Sequence, residues 1–208
     1  MISEIDAEDQ RVLLTGELTH RVKNTLALVQ AIVTQSLRTA TTPAQARRTI
    51  EDRLVALGRA HDILTTASWA SASITEIIRG AMDIHGSGPH RIAAQGPELQ
   101  IKARPALGLS IALHELCTNA AKYGALSNEQ GRVDLSWAVL GHGPGAVFEL
   151  SWTETGGPPV KPPSRRGFGS RLIEACLTGD LSGAGAPDYR PEGLNWTMRS
   201  KLSDIAEE

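Results

Sequence analysis

The chain has 208 residues, with 21 lysines and arginines against 23 aspartates and glutamates, for a formal net charge of −2. This near balance excludes the global basic field that draws nucleic acid or an anionic membrane surface. Hydrophobic residues make up 41 %, an ordinary globular share, and no apolar run reaches the length that spans a bilayer.

The acidic start Met1-Ile2-Ser3-Glu4-Ile5-Asp6 lacks the basic and apolar regions of a signal peptide, so a cytoplasmic protein is expected. Residues from about Asp9 to Arg38 read as one long helix. Leu14, Leu18, Val22, Leu26, Val29, Val33 and Leu37 recur at steps of three and four, a helix–helix packing stripe. Thr42-Pro43-Ala44-Gln45 is a helix start: Thr42 the N-cap, Pro43 the first helical residue, Gln45 the end of a capping box. The second helix carries Ile50, Leu54, Leu57, His61 and Leu64 on its apolar side. The short connection predicts an antiparallel hairpin.

A small-residue link at 67–72 leads to Ser73 and Glu76, a capping box opening a helix to about Ile84. Short strands are expected over Arg91–Ala94 and Glu98–Ala103, then a helix opened by Pro105. Val133–Leu140 and Ala146–Trp152 read as strands around a Gly-rich turn. A Gly/Pro/Arg loop, a helix from about Gly169 to Leu177 and a final pair of strands over 185–190 and 194–201 complete the pattern. The last five residues are expected to fray. The sum is a helical hairpin followed by an α/β unit of antiparallel strands and about three helices.

Cys117 and Cys176 lie in apolar helical patterns without a paired metal-ligand spacing, as reduced core thiols do. The six histidines form no HxxxH or HExxH pattern, so no His-built metal site is expected.

Four segments carry chemistry. On the 105–122 helix, Glu115, Asn119 and Lys122 fall at i, i+4 and i+7 and share one face. A carboxylate, an amide oxygen and an ammonium there suit a phosphate-bound Mg²⁺; the plain alternative is a solvated polar face. Leu109, Ala112, Leu113, Leu116 and Ala120 form the opposite, apolar face. His20 lies off the packing stripe of the first helix, and a neutral imidazole can act as a nucleophile. Arg21 and Lys23 beside it could attract polyphosphate, or His20 is simply a surface residue on a basic helix. At Trp152-Thr153-Glu154-Thr155-Gly156-Gly157, a strand ends in an acid and two glycines. Glycine permits backbone approach to a ligand, and a carboxylate can accept the exocyclic N–H of adenine; an ordinary strand-to-loop turn has the same composition. Gly167-Phe168-Gly169 leads into a helix whose N-terminal amides can hold phosphate. No Walker A loop or GxGxxG is present.

In this order the four segments resemble the HWE family of histidine kinases. His20 with Arg21-x-Lys23-Asn24 resembles its phosphoacceptor box, His114-Glu115-x-x-x-Asn119 its N box, Trp152-x-Glu154 its G1 box, and Gly167-Phe168-Gly169 its second glycine box. The resemblance covers roughly residues 10 to 200. It implies an α+β fold: an antiparallel helical hairpin over residues 1–68, for dimerisation and histidine phosphotransfer, then over 69–208 a two-layer α/β sandwich of the histidine-kinase ATPase (Bergerat) type. It further implies ATP and Mg²⁺ as cofactors and an aspartate of a response-regulator receiver domain as the partner group. His20 would accept the γ-phosphoryl group and Asn119 would hold Mg²⁺. Glu115 would sit beside the metal, and Lys122 and Tyr123 would line the nucleotide site. Glu154 would meet adenine with Gly156 giving close approach, and Gly167 and Gly169 would hinge a lid over the phosphates. Arg21 follows His20 where many other histidine kinases have an acid, so the base for His20 is open; Glu17, one turn earlier, is a candidate.

Two other readings stay beside this one: a phosphotransfer or docking protein that makes no use of ATP, and a gyrase-like or chaperone-like ATPase of the same superfold. No sensory segment is recognised. The expected protein therefore either takes its signal from a partner or is the catalytic core of a longer one.

Overall fold

The computed structural model describes residues 22–23, 25–27, 29–38, 40–66, 71–82, 91–160, 181 and 183–207. The chain divides into two compact units, Met1–Leu54 and Val55–Glu208. No helix among the described residues is long and apolar enough to cross a membrane.

In the first unit, the described residues from 22 to 38 are helical (α1) and are followed by α2 (Pro43–Thr66), which continues into the second unit. The start of α2 is capped from two sides. Thr42 Oγ1 accepts the Gln45 N–H at 3.2 Å, while Gln45 Oε1 accepts the N–H of Thr41 rather than that of Thr42, at 3.0 Å. The packing stripe expected on α1 is only partly buried. Val22, Leu26 and Leu37 are more than half exposed, and the buried positions are Ile32 and Ser36. The helices are stitched instead by a polar pair: buried Arg53 donates from Nη1 to Ser36 Oγ at 2.8 Å, and Ser36 donates to the Ile32 carbonyl at 2.6 Å. Among the described residues the buried positions thus lie beside the expected stripe, whose Val29 and Val33 are only half-buried, and periodicity could not show that a serine and an arginine hold the turnward end.

The second unit runs β1 (Ser71–Ser73), α3 (Ile74–Met82), β2 (Ile92–Gln95), β3 (Gln100–Lys102), α4 (Ala103–Lys122), a 3-10 turn at Ala125–Ser127, β4 (Arg132–Leu140), β5 (Val147–Thr155), β6 (Ala184–Arg190), β7 (Gly193–Lys201) and α5 (Leu202–Ile205). Five strands form one sheet in the order β2-β4-β5-β7-β6, and β1 pairs with β3 apart from it. Alternate residues of β4, β5 and β7 point inward: Val133, Leu135 and Trp137; Phe148, Leu150 and Trp152; Leu194, Trp196 and Met198. They share one apolar core with Ile74, Ile77 and Ile78 of α3 and Leu109, Leu113 and Leu116 of α4. This is the helices-on-a-sheet sandwich that a period-2 pattern beside amphipathic helices specifies.

Two expectations are corrected. The sheet is mixed: β2 runs parallel to β4, Ile92 opposite Val133, while the other pairings are antiparallel. The chain between them contains α4, and a long crossover is what parallel neighbours require. The end of the described chain is also anchored rather than frayed. Ile205 and Ala206 are buried, Ala206 bridges Ile101, and the Glu207 N–H donates to the Gln100 carbonyl at 2.9 Å. Ser71 Oγ donates to Glu207 Oε2 at 2.9 Å.

Candidate functional site

Helix α4 is buried on nearly every side from Pro105 to Cys117, then emerges over its last turn. Glu115 on its polar face is only 3 % exposed. Asn119 is half-buried, and Lys122 and Tyr123 are exposed. The face predicted from the spacing therefore grades from interior to solvent, carboxylate first and ammonium last. The helix closes when the N–H groups of Tyr123 and Gly124 both donate to the Asn119 carbonyl, at 2.8 and 3.1 Å. The chain then turns through Ala125–Ser127 toward the end of β5.

Glu154 occupies the fourth inward position of β5, after Phe148, Leu150 and Trp152. Its two carboxylate oxygens have different donors. Oε1 accepts the Trp152 indole Nε1–H at 3.1 Å, and Oε2 accepts the Ala125 N–H at 2.8 Å. Burial pushes its pKa above the usual carboxylate value, and the Ala125 and Trp152 hydrogen bonds oppose that push. On α4, burial pushes the Cys117 thiol up to about 12, with a smaller push from the Glu154 charge.

Glycines make the convergence sterically feasible. A Cβ at Gly124 would overlap Glu154 Oε2 and come within 3.0 Å of the Ala120 Cα. Gly156 has φ +69°, a left-handed conformation that glycine adopts without strain. Its carbonyl accepts from Asn128 Nδ2 at 2.9 Å, and Asn128 Oδ1 in turn accepts the Gly131 N–H at 2.8 Å. The C-terminal turn of α4, the 124–131 loop and the end of β5 thus meet in one place. Five of the residues expected at a nucleotide site, Asn119, Lys122, Tyr123, Glu154 and Gly156, lie on these segments. Asn128 was missed by the sequence reading, because an asparagine before Glu-Gln-Gly signals only a turn. His20, Gly167 and Gly169 lie outside the described residues, as do Glu17, Arg21 and Cys176.

Residues 17–98 match the model of the family described as HWE histidine kinase. The chain is 44 % identical over 189 residues to a blue-light-activated histidine kinase of Brucella anthropi, and 40 % identical to one of Brucella ovis. The chain is similar to the HWE histidine kinases. Both alignments take in 90 % of the chain but 38 % and 39 % of those relatives, so the chain spans about two fifths of their length. The fold is similar to that of the blue-light-activated histidine kinase EL346 of Erythrobacter litoralis, at TM-score 0.67 and 19 % identity over 90 % of this chain and 58 % of that one. Its separately solved histidine kinase domain aligns at TM-score 0.61 and 17 % identity, over 85 % of this chain and 96 % of that one. The likeness supports the sandwich of histidine-kinase ATPase type.

His114, Trp152 and Glu154, in the segments that resemble the N and G1 boxes, are all interior: 2 %, 0 % and 3 % exposed. Two of them form a single hydrogen-bonded unit on β5.

Proposed function

We propose that this chain is an ATP-dependent protein-histidine kinase of the HWE type, part of a two-component system. It would autophosphorylate on His20 and pass the phosphoryl group to an aspartate of a response-regulator receiver domain, in the cytoplasm. The observation that carries this reading is the Glu154 Oε2 to Ala125 N–H bond of 2.8 Å, which ties the strand-end acid and glycine to the terminal turn of the Asn119 helix.

The residues suit a magnesium nucleotide. The Asn119 amide oxygen would hold Mg²⁺ and buried Glu115 would orient its water. Among the described residues no group of three or more His, Cys, Asp and Glu could hold a metal ion, so phosphate oxygens and water would complete the shell, as Mg²⁺ commonly permits. Lys122 and Tyr123 would line the phosphate side, and Glu154 with Gly156 the adenine side. Gly167 and Gly169 would hinge the lid. The bound metal would neutralise charge on the transferring group; the protein's part is positioning. Residues 1–68 would form the dimerisation and phosphotransfer hairpin, and 69–208 the catalytic domain. The exposed Val22, Leu26 and Leu37 on α1 favour a homodimer through that hairpin.

A second reading, an ATP-independent phosphotransfer or docking protein, is favoured by one feature: both oxygens of Glu154 already accept bonds from the protein. One experiment separates the two. The wild type, His20→Gln and Asn119→Ala are incubated with Mg²⁺ and γ-labelled ATP. A kinase gives an acid-labile, base-stable label that both variants lose. Absence of label together with absence of nucleotide binding in the wild type would favour the second reading.

A further inference from the structure

Arg91 stands immediately before β2, half-buried, and reaches across to the 125–131 loop. Its guanidinium is surrounded by that loop's carbonyls. Nη2 donates to the Ala125 and Gly131 oxygens at 3.2 and 3.1 Å and to the Asn128 oxygen, and Nε donates to the Gly131 oxygen at 3.2 Å. Nη1 lies 3.5 Å from the Leu126 carbonyl. The Arg91 carbonyl accepts the Val133 N–H at 2.9 Å, so the residue is fixed to β4 by its backbone as well. A loop whose carbonyls converge on one point needs a cation to offset their dipoles. A planar fork with five N–H donors can satisfy several of them at once.

The loop that Arg91 gathers is the one that holds the far end of the site. Ala125 donates to Glu154, and Asn128 holds the Gly156 carbonyl. We propose that Arg91 is a positioning residue for the adenine end of the nucleotide site, acting through the 125–131 loop on Glu154 and Gly156. This inference rests on the nucleotide-binding reading above. Arg91 itself reaches neither residue; it sets the loop that sets them. Lysine keeps the charge but offers a compact ammonium on a flexible stem, which cannot span four carbonyls with the same geometry.

The test compares the wild type, Arg91→Lys and Asn128→Ala in ATP-dependent autophosphorylation, with KM for ATP, the rate at saturating ATP and the melting temperature measured on each. Arg91→Lys should raise KM about tenfold, the size of effect expected when hydrogen bonds to a charged group are lost, and leave the saturating rate within about twofold. Asn128→Ala, which keeps the carbonyls that Arg91 grips but removes the side-chain bonds to the Gly156 carbonyl and the Gly131 N–H, should raise KM by a smaller factor of about three. Should Arg91→Lys melt too low to assay, Asn128→Ala alone decides by the same criterion. An unchanged KM, or a saturating rate that falls with the melting temperature while KM holds, would reduce Arg91 to a structural role and overturn the inference. The kinase reading would survive that result. A wild type that binds no ATP would overturn both.

Discussion

Trp152 donates its indole N–H to the Glu154 carboxylate two residues further along the same strand, at 3.1 Å, and both side chains are buried. Residues at i and i+2 of a strand share a face, so the pair is built into β5 by spacing alone. The tryptophan supplies core volume at one end and a donor for a buried acid at the other.

Replacing Trp152 by Phe should therefore cost more than the lost volume. It leaves one oxygen of a buried carboxylate without its donor, and we expect a loss of about 2 to 4 kcal/mol of folding stability. Denaturant unfolding measures it. In a Glu154→Gln background the cost should shrink, and a double-mutant cycle would report the coupling. Equal costs in both backgrounds would show that the hydrogen bond contributes nothing beyond packing.

Glu154 also gives the fold a pH dependence of unusual sign for a carboxylate. Burial raises its folded-state pKa above the ordinary value of 4.5. The folded state then holds its proton more tightly than the unfolded chain does. Its contribution to stability is fully present below about 4.5 and is lost as pH rises through the raised folded value. Above that value the buried charge is a standing cost. Glu154→Gln should flatten this part of the stability–pH curve; a curve unchanged from the wild type's would refute the assignment.

Gly124→Ala should damage the site directly, because the new methyl group would overlap Glu154 Oε2. Either the carboxylate moves off the Ala125 N–H or the terminal turn of α4 shifts. Overpacking of this kind costs about 1 to 3 kcal/mol. The melting temperature should fall, and nucleotide affinity should fall with it. A variant as stable as the wild type would show that this junction is looser than the structure has it.

The Cys117 thiol, held near 12 by burial and the nearby Glu154 charge, should be inert. Thiolate is the reactive form. Native protein treated with iodoacetamide at pH 8 should show no alkylation of the Cys117 peptide by mass spectrometry, and unfolded protein should show it fully. Modification in the native state would mean that α4 opens readily.

Much of the site was legible from spacing. Glu115, Asn119 and Lys122 do share a helix face, and the Trp152-x-Glu154 strand does run into a left-handed glycine. Depth was not legible. Periodicity assigns a side chain to a face, but whether that face meets water depends on what the rest of the chain lays over it, and Glu115 proved to be interior. Partner choice was equally hidden. The short segment after Arg91 was expected to be a strand, yet only the path through α4 makes it parallel to β4. The polar tail Asp204-Ile205-Ala206-Glu207 conceals two buried residues, too short a run for any apolar pattern to reveal.

The clasp between Ser71 and Glu207 joins positions 136 residues apart, and β7, which lies between β5 and β6 in the sheet, comes near the end of the described chain. A contact map of this kind is slow to assemble, because distant segments must meet before they reward one another. It also sets an order during synthesis. While residues 193–207 are still inside the ribosome, β5 has no neighbour on one side and the small β1–β3 sheet has no clasp. The α/β unit can then complete its sheet only after β7 has emerged, and until that moment β5 presents an unpaired strand edge that chaperones can cover.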